Sequence, residues 1–209
     1  MNSGPTSERA YDALKLRILA GAFQPGQRLE PTDIGRMLEM SITPVRDALH
    51  VLAGEALVDA RTSDGFHLPL ATEGALRDLY AWNAQVLVAA ISTWPKTGRD
   101  HETQPVLLPP PADSSDPRSL FEGITMRSGN REHLRTIRSN SERLNAARRA
   151  EPAVLGGTHL ELVSLAEVAN SHDRGALRLL INAYHRRRFP LLTPLVDAIN
   201  QDKGGHRPF

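Results

Sequence analysis

Ser41, Thr43, Arg46 and His50 gather two hydroxyls, a guanidinium and an imidazole within one ten-residue stretch. All four side chains can donate hydrogen bonds to phosphate oxygens and base edges, so the chemistry on offer is recognition rather than bond making. Catalysis would need a different constellation. The chain has no H-E-x-x-H, G-x-S-x-G or phosphate-loop pattern, and no enzymatic activity is expected. One enzymatic alternative stands beside this reading, a metal-assisted hydrolase housed in a histidine-rich helical bundle.

The elements that position these residues follow from local patterning. In Ser41-Ile42-Thr43-Pro44-Val45-Arg46-Asp47-Ala48-Leu49, Thr43 suits an N-cap and Pro44 the first helical position, where its missing N–H costs nothing. Val45, Ala48, Leu49 and Leu52 recur at i, i+3, i+4 and i+7, which claims one face for a core and leaves Arg46, Asp47 and His50 on the other. Upstream, Ile34, Met37 and Leu38 outline a second short amphipathic helix, separated from the first by only Glu39, Met40 and Ser41. Two short helices on a tight turn predict a helix-turn-helix. Downstream, Leu57-Val58 and Phe66-His67-Leu68 flank the pair Asp64-Gly65, which predicts a β-hairpin wing. The segment reads as a DNA-binding winged helix. Base edges in a major groove are read by side chains near the N-terminus of one helix. On that geometry Arg46 reaches a guanine or a phosphate, Ser41 and Thr43 donate to phosphate, and the backbone at Gly65 approaches the duplex closely.

Ser41 to Val58, SITPVRDALHVLAGEALV, resembles the S-R-T-P-V-R-E-A-L and following L-x-x-E-G-L-V of the GntR family of bacterial transcription regulators. Ile18-Leu19-Ala20-Gly21 and Pro25-Gly26-Gln27-Arg28-Leu29 are similar to that family's link between its first and second helices. The resemblance implies a recognition helix in the major groove, a wing near the minor groove, and two copies reading a palindromic operator. Three positions depart from the pattern. Ile42 replaces the arginine after the serine, Thr32 stands where relatives often carry a basic residue, and Glu39 occupies the turn glycine.

Charge qualifies the expectation of tight DNA binding. Residues 1–70 hold seven Lys/Arg (9, 15, 17, 28, 36, 46, 61) against nine Asp/Glu (8, 12, 30, 33, 39, 47, 55, 59, 64), a net of −2. Phosphate neutralisation and counterion release normally supply most non-specific affinity. A local patch of Arg28, Arg36, Arg46 and Arg61 must therefore suffice, and modest affinity with a strong need for dimerisation is expected. The whole chain of 209 residues has net charge +1, 40% hydrophobic residues and no cysteine, enough for two small domains without disulfides. No stretch approaches the ~20 apolar residues of a membrane span and MNSGPTSERA lacks a signal-peptide core, so a cytoplasmic location is expected, with the first few residues a disordered arm.

The fold class expected is mostly α: a winged helix-turn-helix over 1–70, a linker at 71–75, and an antiparallel helical bundle over 76–209. Candidate helices span Leu76 to Ile91, Leu120 to Arg127, Glu132 to Arg149, Thr158 to Ser171 and Arg174 to Asn200, with a proline-rich loop at 94–117. Phe121 to Asn130 (FEGITMRSGN) and His159 to Asp173 (HLELVSLAEVANSHD) resemble F-H-x-x-L-x-x-x-x-G-N and H-x-x-I-x-x-A-x-x-x-x-D of the FCD effector and dimerisation domain found in the FadR subgroup.

That resemblance implies a pocket between helices in which an Asp/His pair and two further histidines hold a divalent metal, which grips a carboxylate effector. His159 and His185 fall on the later positions as metal candidates, while the first pair becomes Arg118 and Glu122. Arginine stays protonated and cannot ligate a metal, so no cofactor is expected. Instead Arg118 can fork onto an organic acid, with His159 and His185 donating hydrogen bonds. The alternative is a decayed pocket in a ligand-independent dimeric DNA-binding protein. The run Arg186-Arg187-Arg188 reads as a solvated helix face or a phosphate contact.

Overall fold

The computed structural model describes residues 5–95 and 117–201. The expected N-terminal arm and nearly all of the proline-rich segment 94–117 lie outside them. Contacts divide the chain into two units, residues 1–72 with 197–209, and residues 73–196.

The first unit contains α1 (Pro5–Leu19), α2 (Pro31–Leu38), α3 (Ile42–Gly54), β1 (Asp59–Arg61) and β2 (Gly65–His67). Leu14, Leu29, Ile34, Val45, Leu49, Leu52 and Phe66 form its buried core. The stripe at Val45, Ala48, Leu49 and Leu52 is buried as its periodicity predicted. The start of α3 differs from the sequence reading: the N-cap is Ser41, in extended conformation, not Thr43. Thr43 and Pro44 both lie in the first turn, where the chain's N–H groups lack intrahelical partners anyway, so the proline is tolerated one residue or two inside the helix.

The helix ends are closed by backbone geometry. At Gly21, Glu39 and Ala56 the chain turns left-handed (φ 77°, 54° and 56°). In each case the next N–H reaches back five residues: Ala22 to Arg17 O (3.0 Å), Met40 to Gly35 O (2.8 Å) and Leu57 to Leu52 O (3.0 Å). This is the Schellman closure, which favours glycine because it has no Cβ. Of these three closures, those at Glu39 and Ala56 accept the steric cost of a Cβ. Close approach also fixes Gly35, since a Cβ there would lie 2.8 Å from Met40 O, the turn carbonyl packed on α2.

The wing is a hairpin, with two changes from the sequence expectation. Its first strand is Asp59–Arg61 rather than Leu57-Val58, which instead enter the core. Its loop has three residues, Thr62 to Asp64, and Gly65 (φ 79°) pairs with Arg61. A left-handed glycine after a tight turn is the usual way to restore strand pairing across a three-residue loop. An isolated antiparallel bridge joins Arg28 to His67 of β2, flanked by hydrogen bonds from Leu29 N–H to Phe66 O (2.7 Å) and from Leu68 N–H to Gln27 O (2.9 Å). That pairing is non-local and leaves no alternating pattern of its own.

The second unit is helical: α4 (Glu73–Ser92), α5 (Arg118–Met126), α6 (Arg131–Arg143), α7 (Asn145–Val154), α8 (Thr158–Asn170) and α9 (Arg174–Arg186), followed by a 3₁₀ turn (Phe189–Leu191) and the start of α10 (Leu192–Gln201), which the division between units cuts after Val196. α4 begins at Glu73, inside the expected linker. The helix expected over Glu132 to Arg149 is divided at Leu144 into α6 and α7, and α7 runs on to Val154 with Pro152 inside it; the helix expected through Asn200 breaks around Phe189-Pro190. Leu87, Ile91, Phe121, Ile124, Ile137, Leu162, Leu177 and Ile181 form the core. Among the described residues no helix is long and apolar enough to cross a membrane.

Candidate nucleic-acid interface and bundle interior

The face of α3 turned away from the core exposes Ile42, Thr43, Arg46, Asp47 and His50, with Ser41 exposed at its cap. His50 is held by an edge contact to the Phe66 ring (centroids 4.9 Å), which ties the helix face to the wing. Thr32 and Arg36 are exposed on α2, and Arg61 and Gly65 on the wing. Three arginines of the expected basic patch are paired with neighbouring acids: Arg28 with Glu30 (2.6 Å), Arg36 with Asp33 (3.1 Å) and Arg61 with Asp64 (3.4 Å). Arg46 is the member of that patch with no ion pair among the described residues. Exposed pairs of this kind contribute little to stability.

The residues marked by the second resemblance differ in burial and in partners. Arg118, at the start of α5, donates from Nε to Glu122 Oε1 (2.9 Å) and lies 3.6 Å from Glu142. Arg138 Nε holds the other Glu122 oxygen at 2.9 Å. Burial opposes ionisation of Glu122, but hydrogen bonds from Arg118 and Arg138 hold its carboxyl below the usual range. The acidic partner that Arg118 requires is therefore in the chain itself.

His185 is fully buried, its Nδ1 2.7 Å from Ile181 O and its Nε2 2.9 Å from Asn83 Oδ1. Burial, reinforced by the charges of Arg148 and Arg188, pushes its imidazole down to about 3. His159 is exposed at the start of α8. The spacing explains the difference: eleven residues before Asp173, the step in the H-x-x-I-x-x-A-x-x-x-x-D pattern, the chain has Leu162, which is buried in the core. The terminal residues of these motifs close or cap helices. Gly129 is left-handed, Asn130 accepts from Glu132 N–H (2.9 Å) to cap α6, and Asp173 accepts from Ala176 N–H (2.9 Å) to cap α9. Among the described residues no group of three His, Asp or Glu is arranged to hold a metal ion.

Of the polar residues that meet inside the bundle, Tyr80, Arg148, Glu151 and Glu161 were not singled out in the sequence. Arg188, read there as part of a solvated or phosphate-binding run, is completely buried. Its Nε and Nη2 meet Glu151 at 3.1 and 2.7 Å, Nη2 also reaches Glu161 (3.1 Å), and its guanidinium lies 3.3 Å from the centroid of the Tyr184 ring. Tyr80 donates to Glu151 Oε1 (2.7 Å). Beside this closed network stands Arg148, only 5% exposed, with its Cζ 5.3 Å from the Phe121 ring centroid. The one sequence signal for Arg148 was helical phase: 144, 148 and 151 fall on one face of α7 and its N-terminal junction.

Comparison with known proteins places the first unit. Residues 6–68 match the family described as "Bacterial regulatory proteins, gntR family". The chain is 30% identical over 70 residues to the uncharacterized HTH-type transcriptional regulator YdhC of Bacillus subtilis (strain 168), covering 34% of this chain and 31% of that protein. It is 28% identical over 138 residues to the Nta operon transcriptional regulator of Aminobacter aminovorans, covering 60% and 65%. The chain thus spans less than two thirds of either relative's length. Among solved structures, a GntR transcriptional regulator from Rhodococcus sp. RHA1 superposes with a TM-score of 0.72 at 18% identity, covering 90% of this chain and 97% of that one. E. coli McbR/YncC superposes at 0.60, also at 18% identity, covering 90% and 97%. These two likenesses are of fold, and they extend past the winged helix into the bundle. Residues 6–68 are thus similar in sequence to the GntR family of bacterial regulatory proteins, and they fold as a winged helix-turn-helix.

Proposed function

We propose that the chain is a ligand-responsive transcription regulator of the FadR subgroup, a repressor that acts as a homodimer on a palindromic DNA operator, with the helical bundle as an FCD-like dimerisation and effector domain. The observation that carries this is the exposed face of α3, where Ile42, Thr43, Arg46 and His50 project from a rigid scaffold whose sequence matches a DNA-binding family. In this reading Arg46 and His50 read base edges, Thr32, Ser41 and Thr43 donate to phosphate, and Arg36 and Arg61 release their acidic neighbours for the backbone. Gly65 lets the wing approach closely. Dimerisation supplies the affinity that an acidic domain with paired arginines lacks, because the second half-site is bound at high effective concentration.

A second reading, a dimeric DNA-binding protein without an effector, is favoured by Arg118 and His185. Arg118 is engaged by Glu122 and Glu142, and both ring nitrogens of His185 have partners. Selection of bound duplexes from a random library tests the shared core. Enrichment of an inverted repeat with half-sites about one helical turn apart is expected. Failure to enrich any sequence, with light scattering showing a monomer, would remove both readings.

A further inference from the structure

The bundle interior contains two buried arginines with opposite surroundings. Arg188 is fully satisfied by Glu151, Glu161 and the carbonyl of Tyr184 (2.6 Å). Arg148 is 5% exposed, and its Nε and Nη1 are buried without a hydrogen-bond partner. The buried acid closest to it on its own helix, Glu151, has both oxygens occupied by Tyr80 and Arg188. A second buried donor without a partner is the hydroxyl of Ser141. Leu144 N–H bonds to Asn140 O (2.9 Å) and Arg148 N–H to Leu144 O (2.9 Å), so α6 and α7 run on as a nearly continuous helix and place Ser141 two turns before Arg148 on the same face. Long side chains on a helix lean toward its N-terminus, the side of Arg148 on which Ser141 lies.

An ionised group removed from water needs an opposite charge, and a guanidinium cannot lose its proton to escape the requirement. The Phe121 ring offers a cation one weak contact, not a counter-charge. We infer that Arg148, with the Ser141 hydroxyl, forms a metal-independent binding site for the oxyanion group of a small molecule inside the bundle. A carboxylate and a phosphate share the needed chemistry, several strong acceptors on one negative centre. The site differs from the Arg118, His159 and His185 set, and it rests on the reading of the bundle as a ligand-sensing domain.

The test uses the full chain, melted in sodium chloride, sodium phosphate or sodium succinate at matched ionic strength. Phosphate or succinate is expected to raise Tm saturably, by roughly 5 to 10 °C at a hundred times the half-saturating concentration. Which salt acts identifies the source of the oxyanion. Arg148→Met is expected to abolish the rise and, in chloride alone, to melt no lower than the unsubstituted protein, because it removes a charge without a partner. Ser141→Ala should keep the fold and raise the half-saturating concentration several-fold. Equal Tm values in all three salts would overturn the site, as would an Arg148→Met protein that melts far lower in chloride. DNA binding measured on the same samples separates this from the functional reading. Saturable stabilisation with unchanged DNA affinity keeps the site and rejects ligand control, whereas specific DNA binding without any anion effect rejects the site alone.

Discussion

Arg188→Met should destabilise the second unit by about 3–5 kcal/mol, because it removes one member of a buried ion pair and leaves the other uncompensated. The geometry sets the upper part of that range. The Arg188 side chain is 1% exposed and that of Glu151 5%, so solvent screening does not soften the loss. Two charge-assisted contacts to Glu151 at 3.1 and 2.7 Å disappear together, and the Tyr80 hydroxyl remains as a neutral donor to a buried carboxylate. Methionine fills most of the arginine volume, which keeps cavity formation out of the result. For a chain of this size each kcal/mol lowers Tm by about 2–4 °C, so a drop of roughly 6–20 °C is expected. Urea unfolding followed by circular dichroism measures the free energy directly. The companion Glu151→Gln/Arg188→Met protein should recover most of the loss, since Tyr80 can still bond to the amide and no charge is left buried. A single substitution costing under about 1 kcal/mol, or a double no better than the single, would refute the argument.

Other outcomes follow from local geometry. Ala56→Gly relieves a left-handed Cβ worth about 1–2 kcal/mol, less the extra unfolded-state entropy of glycine, and should stabilise the first unit by about 0.5–1 kcal/mol in a urea titration. Gly35→Ala drives a Cβ to 2.8 Å from Met40 O and should destabilise the helix-turn-helix by about 1–3 kcal/mol; unchanged stability and DNA affinity would show that the turn adjusts freely. Arg46→Ala should weaken operator binding by about 1–3 kcal/mol with little change in Tm, as read by titration at fixed salt. Ile42 is 46% exposed at the tip of α3, so its side chain should read a thymine methyl; replacing that thymine by deoxyuridine in the selected operator should cost about 0.8 kcal/mol, near fourfold in affinity, at one position per half-site. His185 has its folded pKa depressed to about 3 against 6.5 when unfolded, so its contribution is present above pH 6.5 and is lost as pH falls, by about 3 kcal/mol at pH 4. His185→Asn should flatten that acid limb. Stability that instead declined from pH 5 to 8 would mean the two facing acceptors outweigh burial.

Local chemistry was enough to determine the winged helix. The 3.6-residue stripe through Val45, Ala48, Leu49 and Leu52, the three-residue turn after Leu38 and the glycine at 65 act over a few residues, and the match to the family depends on the same short-range pattern. The sequence also marked Gly129-Asn130 and Asp173 as special, because caps are local; it could not say that these positions punctuate helices instead of lining a pocket. Tertiary structure alone decided the polar interior. Arg186 and Arg188 belong to one basic run, yet Arg186 is exposed on the last turn of α9 and Arg188, just past its end, is buried against Glu151, because burial is decided by what packs on each position. Arg148 and Glu151, three residues apart on one face, become an unpaired cation and a fully occupied anion through residues 37 and 71 positions distant from Glu151 in the chain. Pairing at such separations leaves no periodic trace in the sequence, since it depends on which helices meet and not on the order in which they are joined.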